Sequence, residues 1–150
     1  MHILAIDAST DHGAVAVCKN RTLLAGFTTE GKQNHSETLL PFVQKALEES
    51  GLSIEQVDLF ACSVGPGSFT GVRMAVSFVK GLAFGREKPC VGVSSLTALA
   101  YNLSGTSGIL CPVIDARRGH VYNALFQNGN RLTDDRLIDL ASLEGELIAF

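Results

Sequence analysis

The tripeptide Ile6-Asp7-Ala8 returns as Ile114-Asp115-Ala116, and its surroundings return with it. In both places an apolar run ends on the aspartate, a turn follows, and a second strand-forming run begins. Segments 2–7, 14–18 and 22–28 read as three strands joined by turns at 8–13 and 19–21. Segments 109–115 and 120–127 read the same way, with a third strand opening at Arg131. Asn128-Gly129 between them is a strong hairpin signal. This internal duplication constrains the fold more than any single motif, because two copies imply two lobes built on one plan.

The remaining segments alternate helix and strand. Residues 36–50 read as a helix stopped by Gly51, with Asn34 and Glu37 spaced as a capping box. Pro41 inside that pattern predicts a kink or a late start. A strand at 57–64 leads into Gly65-Pro66-Gly67-Ser68-Phe69-Thr70-Gly71 and a helix to about Phe84. A short strand at 90–93 precedes a helix capped by Ser94 or Ser95 and running to about Leu103. A meander continued by alternating helices and strands resembles the layout of the actin, sugar-kinase and Hsp70 superfamily. That resemblance implies an α/β, actin-like, ribonuclease H-like lobe with a mixed five-stranded sheet. Residues 1–104 would form this first lobe, and 105–150 would begin a second, duplicated one without completing it.

Composition narrows the function classes. The chain is 46% hydrophobic and 18% charged, which suits a folded core rather than disorder. Its net charge of −3 argues against gripping nucleic acid unaided, and Arg117-Arg118 is the one adjacent basic pair. Cys18, Cys62, Cys90 and Cys111 are widely spaced in apolar stretches, which reads as buried free thiols in a reducing compartment. The amino terminus lacks a basic leader and meets Asp7 early, and no apolar run reaches membrane-spanning length. A cytoplasmic location is the expectation.

Three segments could carry chemistry. In nucleotide-binding members of the superfamily, the turn after the first strand cradles phosphate and its acid orients a metal-bound water. Asp7, Ser9 and Thr10 occupy that turn here, and Asp115 occupies its duplicate. A cradle needs inward N–H groups and usually a glycine, yet the first glycine after Asp7 is Gly13. At the second turn Arg117 and Arg118 would crowd a phosphate, although their side chains could hold an anion. A vestigial ATP site at most is expected, with Asp7 otherwise serving as a turn former. The Gly65–Gly71 segment follows a strand and opens a helix, but Val72 stands where a Walker lysine would be. It reads as a device that lets the helix start tight against the sheet. His35-Ser36 lacks a positioned acid or oxyanion hole, so nucleophilic catalysis is not expected.

The two long helices carry more apolar residues than one buried face requires. Leu39, Leu40, Val43 and Leu47 on the first, with Val72, Val76, Val79 and Ala83 on the second, suggest a partner surface, with His35 and Lys80 at its margin.

Together, Ile6-Asp7-Ala8-Ser9-Thr10, His35-Ser36 with Leu39-Leu40-Pro41, and Gly65-Pro66-Gly67-Ser68-Phe69-Thr70-Gly71-Val72-Arg73 resemble the TsaB (YeaZ) family. Lys80-Gly81-Leu82-Ala83, Val93-Ser94-Ser95-Leu96, and Asp115-Ala116-Arg117-Arg118 with Val121-Tyr122 extend the resemblance over about 3–122. The resemblance implies a non-catalytic scaffold and activator of TsaD, which threonylcarbamoylates the adenosine beside the tRNA anticodon. It implies heterodimerisation with TsaD through the first-lobe helices, TsaE in a larger complex, a homodimer in isolation, and only indirect contact with tRNA. No catalytic residue, resident cofactor or metal is implied. Metal-dependent glycoprotease-like relatives place two histidines four apart at the first helix, and here the second position is Leu39. The alternatives are a nucleotide-dependent transferase or kinase using Asp7 and Asp115, and a glycoprotease-type metallopeptidase. The departure from the family is length, since its members carry a full second lobe.

Overall fold

The computed structural model describes residues 1–29 and 35–149, the side chains of His35 and Ser36 excepted. The expected loop at 31–34 and the Asn34 cap lie outside the described residues. By internal contacts the chain forms two compact units, Met1–Val93 and Ser94–Phe150.

The first unit opens with the meander expected from the sequence: β1 (His2–Asp7), β2 (Ala14–Lys19) and β3 (Thr22–Thr28). It continues with α1 (His35–Ser50), a 3-10 turn at Ile54–Gln56, β4 (Leu59–Ser63), α2 (Phe69–Phe84) and β5 (Cys90–Val93). The strands form one sheet in the order β3-β2-β1-β4-β5. β1 runs antiparallel to β2 and parallel to β4, and β4 is parallel to β5, so the sheet is mixed. Alternation aims Leu4, Ile6, Val15, Val17 and Phe60 into the core with α1 and α2.

α1 contributes Leu39, Val43, Ala46 and Leu47, one helical face, and leaves Gln44, Lys45 and Glu48 outside. The helix runs unbroken through Pro41, so the expected late start does not occur. Pro41 itself sits on the exposed side. α2 buries Gly71, Ala75, Val79 and Ala83, a stripe with little bulk that lets the helix lie close on its own sheet. The small residues Gly71 and Ala75 are used inside the unit.

The second unit holds α3 (Ser95–Tyr101), β6 (Ile109–Leu110), β7 (Val113–Arg117), β8 (His120–Asn123), β9 (Phe126–Gln127), β10 (Asn130–Arg131), β11 (Arg136–Asp139) and α4 (Leu140–Ile148). Its strands form two small sheets, β10-β9-β6 and β11-β8-β7. The second matches β3-β2-β1 in order and antiparallel sense, so the duplicated meander is present.

Two expected strands are broken. The run 109–115 divides at Cys111-Pro112, because proline has no N–H to continue a ladder. The run 120–127 divides at the fully buried Ala124-Leu125, where the chain passes from one small sheet to the other. There the Leu125 N–H leaves the ladder and donates to Thr133 Oγ1 at 2.9 Å. The third meander strand is β11, not the segment at Arg131, which forms a separate hairpin through Asn128-Gly129.

α3 packs Leu96 and Ala100 against Ala124 and Phe126. Arg131 donates to Ser94 Oγ at 3.2 Å and Thr97 Oγ1 at 2.5 Å. The division at Val93 therefore precedes the expected boundary after 104, and α3 groups with the second unit.

Asn123 is fully buried; it accepts from Arg136 Nε at 2.9 Å and donates to Cys111 Sγ at 3.4 Å. Arg136 in turn donates to Glu146 Oε2 at 2.6 Å, which ties α4 to β11. Asp139 caps α4, accepting from the Ser142 hydroxyl at 2.6 Å and the Ser142 N–H at 2.9 Å. These bonds, the hydroxyl first, hold the Asp139 carboxyl below the ordinary aspartate range. A depressed folded-state pKa gives stabilisation that is present above the unfolded value and is lost as pH falls through the folded one. Helical circular dichroism of α4 should accordingly decline below about pH 4. Asp139→Ala should flatten that acid limb, and an unchanged limb in the variant would refute the capping role.

Of the cysteines expected to be buried, only Cys62 is; Cys18 and Cys111 are half-buried and Cys90 is exposed on the edge strand. All four thiols are free. No helix among the described residues is long and apolar enough to cross a membrane.

Candidate functional site

β1 ends on Asp7, and its parallel neighbour β4 ends alongside, which brings Ser63 to the turn. The Ser63 hydroxyl donates to Asp7 Oδ1 at 2.5 Å, and the Ser9 N–H donates to the same oxygen at 2.7 Å. Ser9 is buried and Thr10 is exposed. The Thr10 hydroxyl donates to the His12 carbonyl at 3.1 Å, and the His12 N–H donates back to Thr10 Oγ1 at 3.2 Å.

The glycine segment braces this turn from behind. The Ser68 N–H donates to the Ser9 carbonyl at 2.7 Å, while Ser68 Oγ caps α2 by accepting from the Gly71 N–H at 3.3 Å. A Cβ at Gly67 would collide with the Ser9 carbonyl, and one at Gly71 with the Ala8 carbonyl. The expectation that these glycines let a helix start tight against the sheet is therefore incomplete. The close approach is to the Asp7 turn.

The duplicate turn has the same local geometry. Asp115 Oδ1 accepts the Arg117 N–H at 2.7 Å, as Asp7 accepts that of Ser9. In both units the aspartate folds back on the N–H two residues on, a donor that a phosphate would otherwise use. Asp7, Ser9 and Thr10 are brought together by the first unit, and Asp115 belongs to the second.

Burial pushes the Cys62 thiol up, so the cysteine next to Ser63 stays protonated and is a poor nucleophile. Among the described residues, no group of three or more His, Cys, Asp and Glu side chains is placed to hold a metal ion.

The expected partner surface divides. Leu39, Val43, Leu47, Val79 and Ala83 are buried in the core of the first unit. Leu40 and Lys80 are exposed, Val72 and Val76 are half-buried, and the side chain of His35 lies outside the described residues. The apolar pattern does not single out Phe69, which is 73% exposed with the Arg73 guanidinium 5.1 Å from its ring centre. Its position directly after the cap Ser68 is the signal that could have found it, because a first-turn residue need not face the sheet. Phe84, at the other end of α2, is 88% exposed.

A mixed sheet that opens with one meander and a separate small sheet that repeats it, each with an aspartate turn, define the actin-like class. The fold alone is shared with the ROK hexokinase of Thermus thermophilus, at a TM-score of 0.53, 20% identity, and coverage of 91% of this chain and 49% of that one. The family described as "TsaD: tRNA N6-adenosine threonylcarbamoyltransferase" matches residues 23–145. The tRNA threonylcarbamoyladenosine biosynthesis protein TsaB of Bacillus subtilis is 37% identical over 93% of this chain and 61% of its own length. Its Escherichia coli counterpart is 41% identical over 85% of this chain and 55% of its own. YeaZ of Pseudomonas aeruginosa superposes with a TM-score of 0.83 at 33% identity, covering 92% of this chain and 67% of that one. The chain belongs to the TsaB (YeaZ) family. It spans a little over half the length of these two TsaB relatives.

Proposed function

We propose that the chain is part of a non-catalytic subunit of tRNA threonylcarbamoyladenosine synthesis, working in the cytoplasm as a scaffold and activator of TsaD. The observation that carries this reading is the engagement of both turn aspartates by their own backbone. A phosphate drawing on the Ser9 or Arg117 N–H would have to displace those bonds. Leu39 supports it further: where a metal-dependent relative would place its second histidine, this chain has a residue 2% exposed in the core. The subunit carries no nucleotide or metal of its own. It meets TsaD through the outer side of α1 and α2, from Leu40 across Val72 and Val76 to Lys80 and the exposed Phe69. TsaE joins the larger complex, and in isolation the same surface pairs two copies.

Leu40→Asp and Lys80→Glu change exposed side chains, so both variants should keep the circular dichroism of the parent. In the complete protein each is expected to weaken the TsaD complex about tenfold or more, read by calorimetry and by light scattering after gel filtration. Undiminished affinity in both would remove α1 and α2 from the interface. Threonylcarbamoyl transfer to tRNA by the protein without TsaD would overturn the non-catalytic reading.

A further inference from the structure

The β7–β8 hairpin turns through Arg118-Gly119, with φ of 55° and 76°, and Arg117 before them lies at 68°. Two consecutive arginines are thus held in the left-handed region, which side chains with a Cβ disfavour. The β9–β10 hairpin makes the same kind of turn with Asn128-Gly129, at φ of 51° and 79°. That pair suits the geometry, so the turn does not account for an arginine at 118.

Charge pairing does not account for it either. Arg131 donates to Asp135 at 2.6 Å and Arg136 to Glu146 at 2.6 Å. Among the described residues, neither Arg117 nor Arg118 forms an ion pair, and both are exposed. Asp115 is engaged by the backbone N–H of Arg117. His120, opposite Arg117 in the ladder, hydrogen-bonds the Arg118 carbonyl through Nδ1 at 3.1 Å.

An exposed hairpin tip offers no walls for a small ligand, whose sites are concave. Two unpaired guanidinium groups there suit a long polymer whose negative charges repeat. We propose that Arg117 and Arg118 grip the phosphodiester backbone of RNA. The inference deepens the proposed role on tRNA and rests on it, replacing the expected indirect contact with a direct one. It supplies a local basic contact on a chain whose net charge of −3 disfavours RNA.

The test is fluorescence anisotropy of labelled, unmodified tRNA with the complete protein, alone and with TsaD, at roughly 50 and 200 mM salt. Replacing both arginines by alanine should weaken binding about tenfold at the lower salt. It should also flatten the log-affinity against log-salt slope by about 0.7–0.9 for each contact removed. Arg118→Asn should weaken binding roughly threefold while raising the thermal midpoint by about 2 °C, because asparagine suits the turn. A Lys19→Ala, Arg21→Ala pair, which removes equal charge from the β2–β3 hairpin, should stay within about twofold of the parent. RNA binding indifferent to the loss of Arg117 and Arg118, or an equal fall in the control, overturns the proposal. If TsaD binds normally while either result is found, the RNA contact fails and the scaffold reading stands. If TsaD does not bind, the scaffold reading fails and the arms with the protein alone still decide the arginines.

Discussion

Gly71→Ala is expected to destabilise the first unit by about 3 kcal/mol, whereas Gly81→Ala on the same helix should stabilise it by about 0.5–1 kcal/mol. One methyl group is added in each case, so helix propensity acts alike on both. The difference is what the methyl meets. At Gly71 it meets the carbonyl oxygen of Ala8, part of a backbone that Asp7, Ser63 and Ser68 hold in place. A flexible side chain could swing aside, but a pinned carbonyl cannot, and α2 must move off the sheet. At Gly81 nothing lies within 4 Å. There the methyl only reduces the freedom of the unfolded chain. Urea unfolding followed by far-ultraviolet circular dichroism reads both effects. Equal shifts of one sign for the two variants would mean that the contact with Ala8 is not the constraint inferred.

Asn123→Ala should destabilise the second unit by about 2–4 kcal/mol and release α4 before the rest unfolds. Asn123 is fully buried, and its carbonyl accepts from the guanidinium that holds Glu146. Alanine leaves a void, an unpartnered Arg136 Nε and a less fixed ion pair. The Arg136–Glu146 pair is about 30% exposed at each side chain, so its direct contribution is modest and the buried amide is the stronger element. Hydrogen exchange of the α4 amides would register the release. Protection equal to the parent would show that Leu143 alone retains the helix.

Much of this architecture is legible in the amino-acid pattern alone. The elements of the first unit lie within about two residues of the patterns, because alternation in β1 and β2 and the spacing of Leu39, Val43, Ala46 and Leu47 are local signals. The second unit is less legible. Pro112 and the sheet change at Ala124-Leu125 break apolar runs that look continuous. β11 and α4 escape the pattern, although Asp139 followed by an apolar run offers a cap. The aspartate turns are visible as residues, but their hydrogen bonds are not, because Ser63 lies 56 positions from Asp7. Counting apolar residues overestimates the surface of α1 and α2. Which side of a helix faces its sheet depends on the other strands, and Leu39, Val43, Leu47, Val79 and Ala83 prove to be core. An apolar count also gives no sign that Phe69 faces solvent.

The bracing of the Asp7 turn joins main chain to main chain, with two glycines against two carbonyl oxygens. That part of its shape is written in atoms common to every residue, beside the Asp7 and Ser63 side chains. In evolutionary terms, the exposed Thr10 can exchange one chemistry for another, or give it up, while the path of the loop endures. Inheritance of form and inheritance of activity become separable in such a loop, provided positions 67 and 71 stay glycine.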